Sequence, residues 1–163
     1  MKLSGLFLLA GLLLAGCSTL DTHIAPNANL GQLKRIYVQQ NLNDNHRLDI
    51  LIVEQLQARG IQAESGPLTL MPRDVKTYLV YDDHWEWDFK DSLISLGVMV
   101  RDAASEHLLA AASYTRPTSF LKSPAFMVRT VLNGLFDPKA KSTQPLPADR
   151  PAEGSEKRGR RRD

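Results

Sequence analysis

The 163 residues contain one cysteine and two tryptophans. A lone cysteine excludes an intramolecular disulfide and any paired-cysteine metal or redox site. The chain also lacks a Gly-x-Ser-x-Gly elbow, a His-Glu-x-x-His pair and a glycine-rich phosphate loop, so no recognisable catalytic motif is present. His23, His46, His84 and His107 fall in four separate segments, and none pairs with a serine. Charge of one sign is lacking too. Residues 18–140 carry 12 Lys/Arg against 14 Asp/Glu, and a near-neutral domain argues against nucleic acid as a partner. The longest apolar run, Leu6 to Leu14, falls well short of the about 20 residues that cross a bilayer. These absences predict a protein that is not an enzyme and carries no cofactor and no metal.

What is present begins at the amino terminus. Lys2, the run Leu6 to Leu14 and the small residues Ala15-Gly16 before Cys17 form a short basic region, an apolar region and a cleavage point. Leu14-Ala15-Gly16-Cys17 resembles the lipobox of bacterial lipoproteins. The resemblance implies that residues 1–16 are a removable signal peptide and that Cys17 is the site of lipidation. The thiol would take a diacylglycerol and the new amino group a further acyl chain. Each buried methylene adds about 0.8 kcal/mol, and two lipid signals already anchor stably, so such a chain would stay on its membrane. By resemblance to enteric lipoproteins, Ser18 rather than Asp after the cysteine permits sorting to the outer membrane, with the inner membrane as the alternative.

Residues 17–33 are polar, contain Pro26, Asn27, Asn29 and Gly31, and read as a lipidated tether. At about 5–6 Å times the square root of its length it would hold the domain roughly 20–25 Å from the lipid. Residues 34–137 read as one α/β domain. Ile36 and Val38 alternate in a strand over 35–40, and Asp44 offers a cap for a helix ending near Arg59, with Gly60 as the stop. A short strand over 61–63 then suggests a parallel strand-helix-strand unit. The second block contains a strand over 74–89 and the alternation of Ile94, Leu96, Val98 and Val100 with Ser95, Gly97, Met99 and Arg101. A turn over 102–106 makes an antiparallel hairpin with 107–115. Ser123 and Pro124 open a helix whose Val128, Val131, Leu132 and Leu135 share a face. Residues 138–163, with four prolines and an Arg-rich end, read as a disordered basic tail.

The expected fold is α/β in the α+β sense: a mixed sheet of about five strands with two main helices on one face. In architecture it resembles the small α/β domains of envelope assembly lipoproteins, including the curli-secretion type and the amino-terminal domain of the Tol-system propeller protein. Tyr78-Leu79-Val80-Tyr81, Trp85-Glu86-Trp87-Asp88, Lys122-Ser123-Pro124 and Met127-Val128 resemble more closely small lipoproteins of Gram-negative bacteria that carry only a domain of unknown function. That family has no assigned catalytic residues, so the resemblance implies none here.

Two constellations remain. Asp82, His84, Glu86 and Asp88 would project from one face of a strand, with Asp83 and Asp91 nearby. Same-face neighbours lie about 6–7 Å apart, too far to converge on one ion unaided, so a solvated face backed by buried Trp85, Trp87 and Phe89 is the expectation. Trp85 and Trp87 are the candidate ligand contacts, since indoles stack on sugar rings. Their neighbouring carboxylates would suit glycoside hydrolysis only inside a cleft, which nothing else in the sequence suggests. Lys157 to Arg162 could meet an anionic envelope polymer or lipid. The expected function is that of a membrane-anchored lipoprotein facing the periplasm, a non-catalytic accessory or scaffold component of the cell envelope that contacts other envelope proteins. A glycan- or lipid-binding module is the second expectation and a small hydrolase the third.

Overall fold

The structure is a computed structural model that describes residues 18–87, 90–116 and 122–137. They form one sheet of six strands: β1 Thr19–Ile24, β2 Arg35–Gln39, β3 Gln62–Gly66, β4 Thr77–Trp87, β5 Asp91–Asp102 and β6 Leu108–Thr115, in the order β1-β6-β5-β4-β2-β3. Helices α1 (Leu48–Gln57) and α2 (Pro124–Phe136) pack on each other and on one sheet face. The α+β class with two helices on one face is as expected, with one strand more than anticipated. Strand β2 runs parallel to β3 and to β4, while β4-β5-β6-β1 are antiparallel.

Local chemistry accounts for the helices. Asp44 acts as an N-terminal acceptor as expected, but the helix it serves begins four residues later, where its Oδ2 accepts from Leu48 N at 2.6 Å. Between them Arg47 takes a left-handed conformation, φ 56°, that turns the chain into α1. Gly60, at φ 77°, ends the unit in a conformation that costs other residues more. In α2, Ser123 Oγ accepts from Phe126 N and Pro124 occupies the first turn. Leu48, Ile52 and Leu56 of α1 and Met127, Val131 and Leu135 of α2 meet Ile36, Leu79, Leu96, Val98 and Val100 of the sheet in the main core. The opposite face of β2 and β4 is covered by the crossover from β3 to β4, which packs Val75 and Met71 on Tyr37 and Tyr78. Among the described residues no helix covers that face of the other strands.

Three expectations are corrected. Residues 19–24 are not free tether but edge strand β1, paired from Thr19↔Thr115 to Ile24↔Ala110. Without β1, strand β6 would present its backbone groups to solvent, and Gly134 of α2 lets Leu20 and Thr22 approach closely. Buried Leu30 continues this attachment. In β5 the alternation slips: His84 pairs with Ser95 but Trp85 with Leu93, so Ile94 is an extra residue and Leu93 takes the inward place. Buried Arg116 buttresses this bulge, its main-chain N donating to Ile94 O and its Nε to Leu93 O. Finally, Trp85 and Trp87 are not both buried: Trp87 is 75% exposed. Phe89, Asp88, Cys17 and the tail 138–163 lie outside the described residues, as does any boundary at residue 16.

Candidate functional site

In a sheet with parallel strands, ligands gather beyond the carboxyl ends, where successive connections leave toward opposite faces. Here that place lies beyond β2 and β3, with the carboxyl end of β4 on the other side of β2. The chain leaves β2 through α1 on one face and returns to β4 by the crossover on the other. The loop 40–47 occupies it. Asn41 turns the loop with its Oδ1 accepting from Asn43 N at 3.0 Å, and Asp44 repeats the device with His46 N at 2.7 Å.

The loop is bound to β4 by side chains. Tyr81 Oη donates to Asp44 Oδ2 at 2.8 Å and accepts from Asn41 N at 3.3 Å. Burial, then donation to Asp44, pushes the Tyr81 hydroxyl well above its usual range. Asp83 accepts from Asn41 Nδ2 at 3.2 Å with one oxygen and from Trp85 Nε1 at 2.7 Å with the other. The ring of His46 stacks on Trp85, and its Nε2 lies 3.3 Å from Asp91 Oδ2. Beneath the loop, buried Asp49 accepts from Arg47 Nε at 3.1 Å and Ser65 Oγ at 2.9 Å. Burial opposes ionisation of Asp49, but Arg47 and Ser65 prevail and hold its carboxyl below the usual range.

The carboxylates of Asp44, Asp49 and Asp83 are thus each engaged on both oxygens or in an ion pair. The arrangement is a latch. Sequence reasoning missed it apart from Asp44, although the run Asn41 to Asn45 carries the turn signal that marks it.

The residues singled out in the sequence separate onto two faces. Asp82, His84 and Glu86 are exposed on the face away from the helices. His84 Nε2 is 3.8 Å from Glu86 Oε1, but no three His, Cys, Asp or Glu groups converge to hold a metal among the described residues. Asp83 and Trp85 turn to the helix side with Asp91 reached through His46. One ring face of Trp85 is covered by His46, and Trp87 stands exposed at the strand end.

A second feature is a shallow trough of about 410 Å³ across β4, β5, β6 and β1 on the face without helices. The rows Asp82↔Gly97↔Ser113↔Asp21 and Met99↔Ala111↔His23 form it, small residues in the centre and a carboxylate on either side. A depression of about 500 Å³ lies at the other end of the domain, between Leu33, Gly60 and Phe136.

No protein-family model matches the chain, and no curated protein does. The fold does resemble solved structures. A leucine-to-methionine variant of the PelC dodecamer from Paraburkholderia phytofirmans is 14% identical, with a TM-score of 0.54 over 71% of this chain and 95% of that one. The PelC dodecamer in a second crystal form is 13% identical, with a TM-score of 0.55 over 71% and 96%. A minor lipoprotein from Acinetobacter baumannii, 14% identical over 65% and 87%, aligns with a TM-score of 0.30, too low to carry an argument. At these identities the likeness to PelC is one of fold.

Proposed function

We propose that this chain is a lipoprotein facing the periplasm, held on the outer membrane by acyl chains on Cys17, and that it serves as a non-catalytic accessory or scaffold component of the cell envelope. One observation carries the reading. Asp44, Asp49, Asp83 and His46 are bound to other residues of the latch, whereas β5, β6 and β1 present a broad face, small-residued at its centre, that no helix covers among the described residues. Such a face suits contact with another protein. Its shallowness and small side chains suit a flat partner surface better than an enclosed substrate. PelC, whose fold this chain resembles, is a dodecamer, and this supports association between copies as one form that such contact takes.

The test places a photo-crosslinking residue at Ser113, in the trough, and another at Ser105, in the β5–β6 turn, in cells making the full-length chain. Discrete crosslinked species from position 113 and none from 105 are expected, with the amino-terminal peptide carrying acyl mass on Cys17 and the protein fractionating with the outer membrane. Equal labelling at both positions, or an unmodified Cys17 on soluble protein, overturns the reading.

A further inference from the structure

We infer that the end of the domain carrying Leu42 and Trp87 is a membrane-docking surface that rests against the headgroups of the bilayer holding Cys17. The inference rests on the acylation of Cys17 proposed above and adds an orientation to it. Its starting point is the edge strand. Cys17 is two residues before Thr19, and Thr19 is fixed in the sheet by its pairing with Thr115. Two peptide units span at most about 7.6 Å between Cα atoms, so a lipid on Cys17 cannot stand far from this edge of the sheet.

The register then fixes which end of the domain faces the lipid. Thr19 pairs with Thr115, Thr115 with Ser95 and Ser95 with His84, so these four residues lie in one row. Strand β4 continues for three residues past that row to Trp87, about 10 Å along the strand. That is close to the furthest reach of Cys17 in the same direction. Across the sheet the two are separated by three strand spacings, about 14 Å. Acyl chains entering a bilayer from Cys17 therefore bring the tip of β4 to the headgroup level.

The residues at that end suit the position. Trp87 is 75% and Leu42 86% exposed, and Leu42 follows Asn41, which is bonded to Asp83 of β4. The start of α2 is at the same end, since Arg116, next to Thr115, donates from Nη2 to Lys122 O. There exposed Lys122 lies over the Phe126 ring at 4.5 Å. An indole, an aliphatic side chain and a lysine above an aromatic ring are the groups that accumulate at a bilayer interface. The latch ties loop 40–47, which carries Leu42, to this tip through His46, which stacks on Trp85 and reaches Asp91, the strand partner of Trp87.

The experiment couples the single cysteine of the chain beginning at Cys17 to a maleimide phospholipid on vesicles of phosphatidylethanolamine and phosphatidylglycerol. Trp85→Phe leaves Trp87 as the only indole, and Trp87→Phe leaves Trp85. On anchored protein, Trp87 emission is expected to shift to the blue and to be quenched several-fold more by phospholipid brominated near the headgroup than Trp85 is. Should Trp85→Phe fold poorly, the difference between wild type and Trp87→Phe gives the same signal. Leu42→Glu should weaken the quenching and leave flotation unchanged, while Leu70→Ala, on the β3–β4 crossover, should alter neither. Equal quenching of the two indoles, or none on protein that floats with the vesicles, overturns the docking alone. Absence of acyl mass on Cys17 from cells instead overturns the reading on which it rests, and the two failures are read in separate measurements.

Discussion

The imidazole of His46 lies flat on the indole of Trp85, with ring centroids 3.6 Å apart and planes 15° from parallel. This contact joins the loop after β2 to the end of β4 across 39 residues of sequence. It also occupies a ring face that a sugar would otherwise use, so the two tryptophans have different roles: one fastens the latch and the other is exposed.

Removal of the imidazole should therefore loosen the loop without unfolding the sheet. His46→Ala is expected to cost about 1 kcal/mol, the scale of an aromatic pair beyond its buried area. Amide exchange should accelerate at residues 41–47 and remain slow in β5 and β6. Urea denaturation together with exchange mass spectrometry checks both; an unchanged loop would show that the stack contributes nothing.

How much of this was legible in the sequence depends on how local the cause is. Ser123-Pro124 opens α2 as expected because a cap and a fixed φ act within three residues. Gly60 ends the first unit for the same kind of reason. Strand β1 was not legible, because Thr19–Ile24 contains only Leu20 and Ile24 as large apolar residues, and what holds it is β6 and Gly134, about a hundred residues away. The bulge at Ile94 likewise depends on Arg116. In the latch, Asn41 and Asp44 signal a turn, but nothing local says that Tyr81, Asp83 and Trp85 are its partners. The expectation for Cys17 rests on the resemblance of Leu14-Ala15-Gly16-Cys17 to a lipobox alone.

Asp49 should govern part of the acid stability. Its side chain is nearly fully buried and, despite that burial, Arg47 and Ser65 hold its carboxyl below the unfolded value, about 3.9. A depressed carboxyl contributes stability that is complete above the unfolded pKa and is lost as pH falls through the folded one. Asp49→Asn is thus expected to melt lower than wild type at pH 7, with the gap closing below about pH 4. Asp102, whose carboxyl is lowered chiefly by the Ser105 N–H and hydroxyl, stays in both proteins and leaves a shared residual slope. Thermal melts at intervals from pH 7 to 2 test this, and parallel curves would refute it.

Gly66 and Tyr37 should behave as a coupled pair. A Cβ on Gly66 would lie 2.6 Å from Tyr37 Oη, and that hydroxyl is held by donation to Pro67 O at 2.9 Å. The ring is buried against Val75 and Tyr78 and has little room to retreat. Gly66→Ala alone should cost about 1–3 kcal/mol through overpacking. In a Tyr37→Phe background the nearest ring atom is Cζ at 3.6 Å, an ordinary contact, so the same substitution should cost a few tenths. A double-mutant cycle by urea denaturation reads the coupling, and additive effects would contradict it.

The attachment of β1 is open to a direct test at Gly134. A Cβ there would approach Thr22 Oγ1 to 3.0 Å and Leu20 Cδ2 to 3.4 Å, so a larger side chain on α2 must push the edge strand outward. Gly134→Leu is expected to raise amide exchange across Thr19–Ile24 by at least tenfold, about 1.4 kcal/mol of local opening, while β4 and β5 stay protected. Thr22→Val should act in the opposite sense. Among the described residues Thr22 Oγ1 is buried without a hydrogen-bond partner, and removing it is worth about 1 kcal/mol. If Thr19–Ile24 were instead a free tether, neither substitution would change its exchange. A detached β1 would also lengthen the link between Cys17 and the sheet, so Gly134→Leu should weaken the interfacial quenching of Trp87 without releasing the protein from the vesicle.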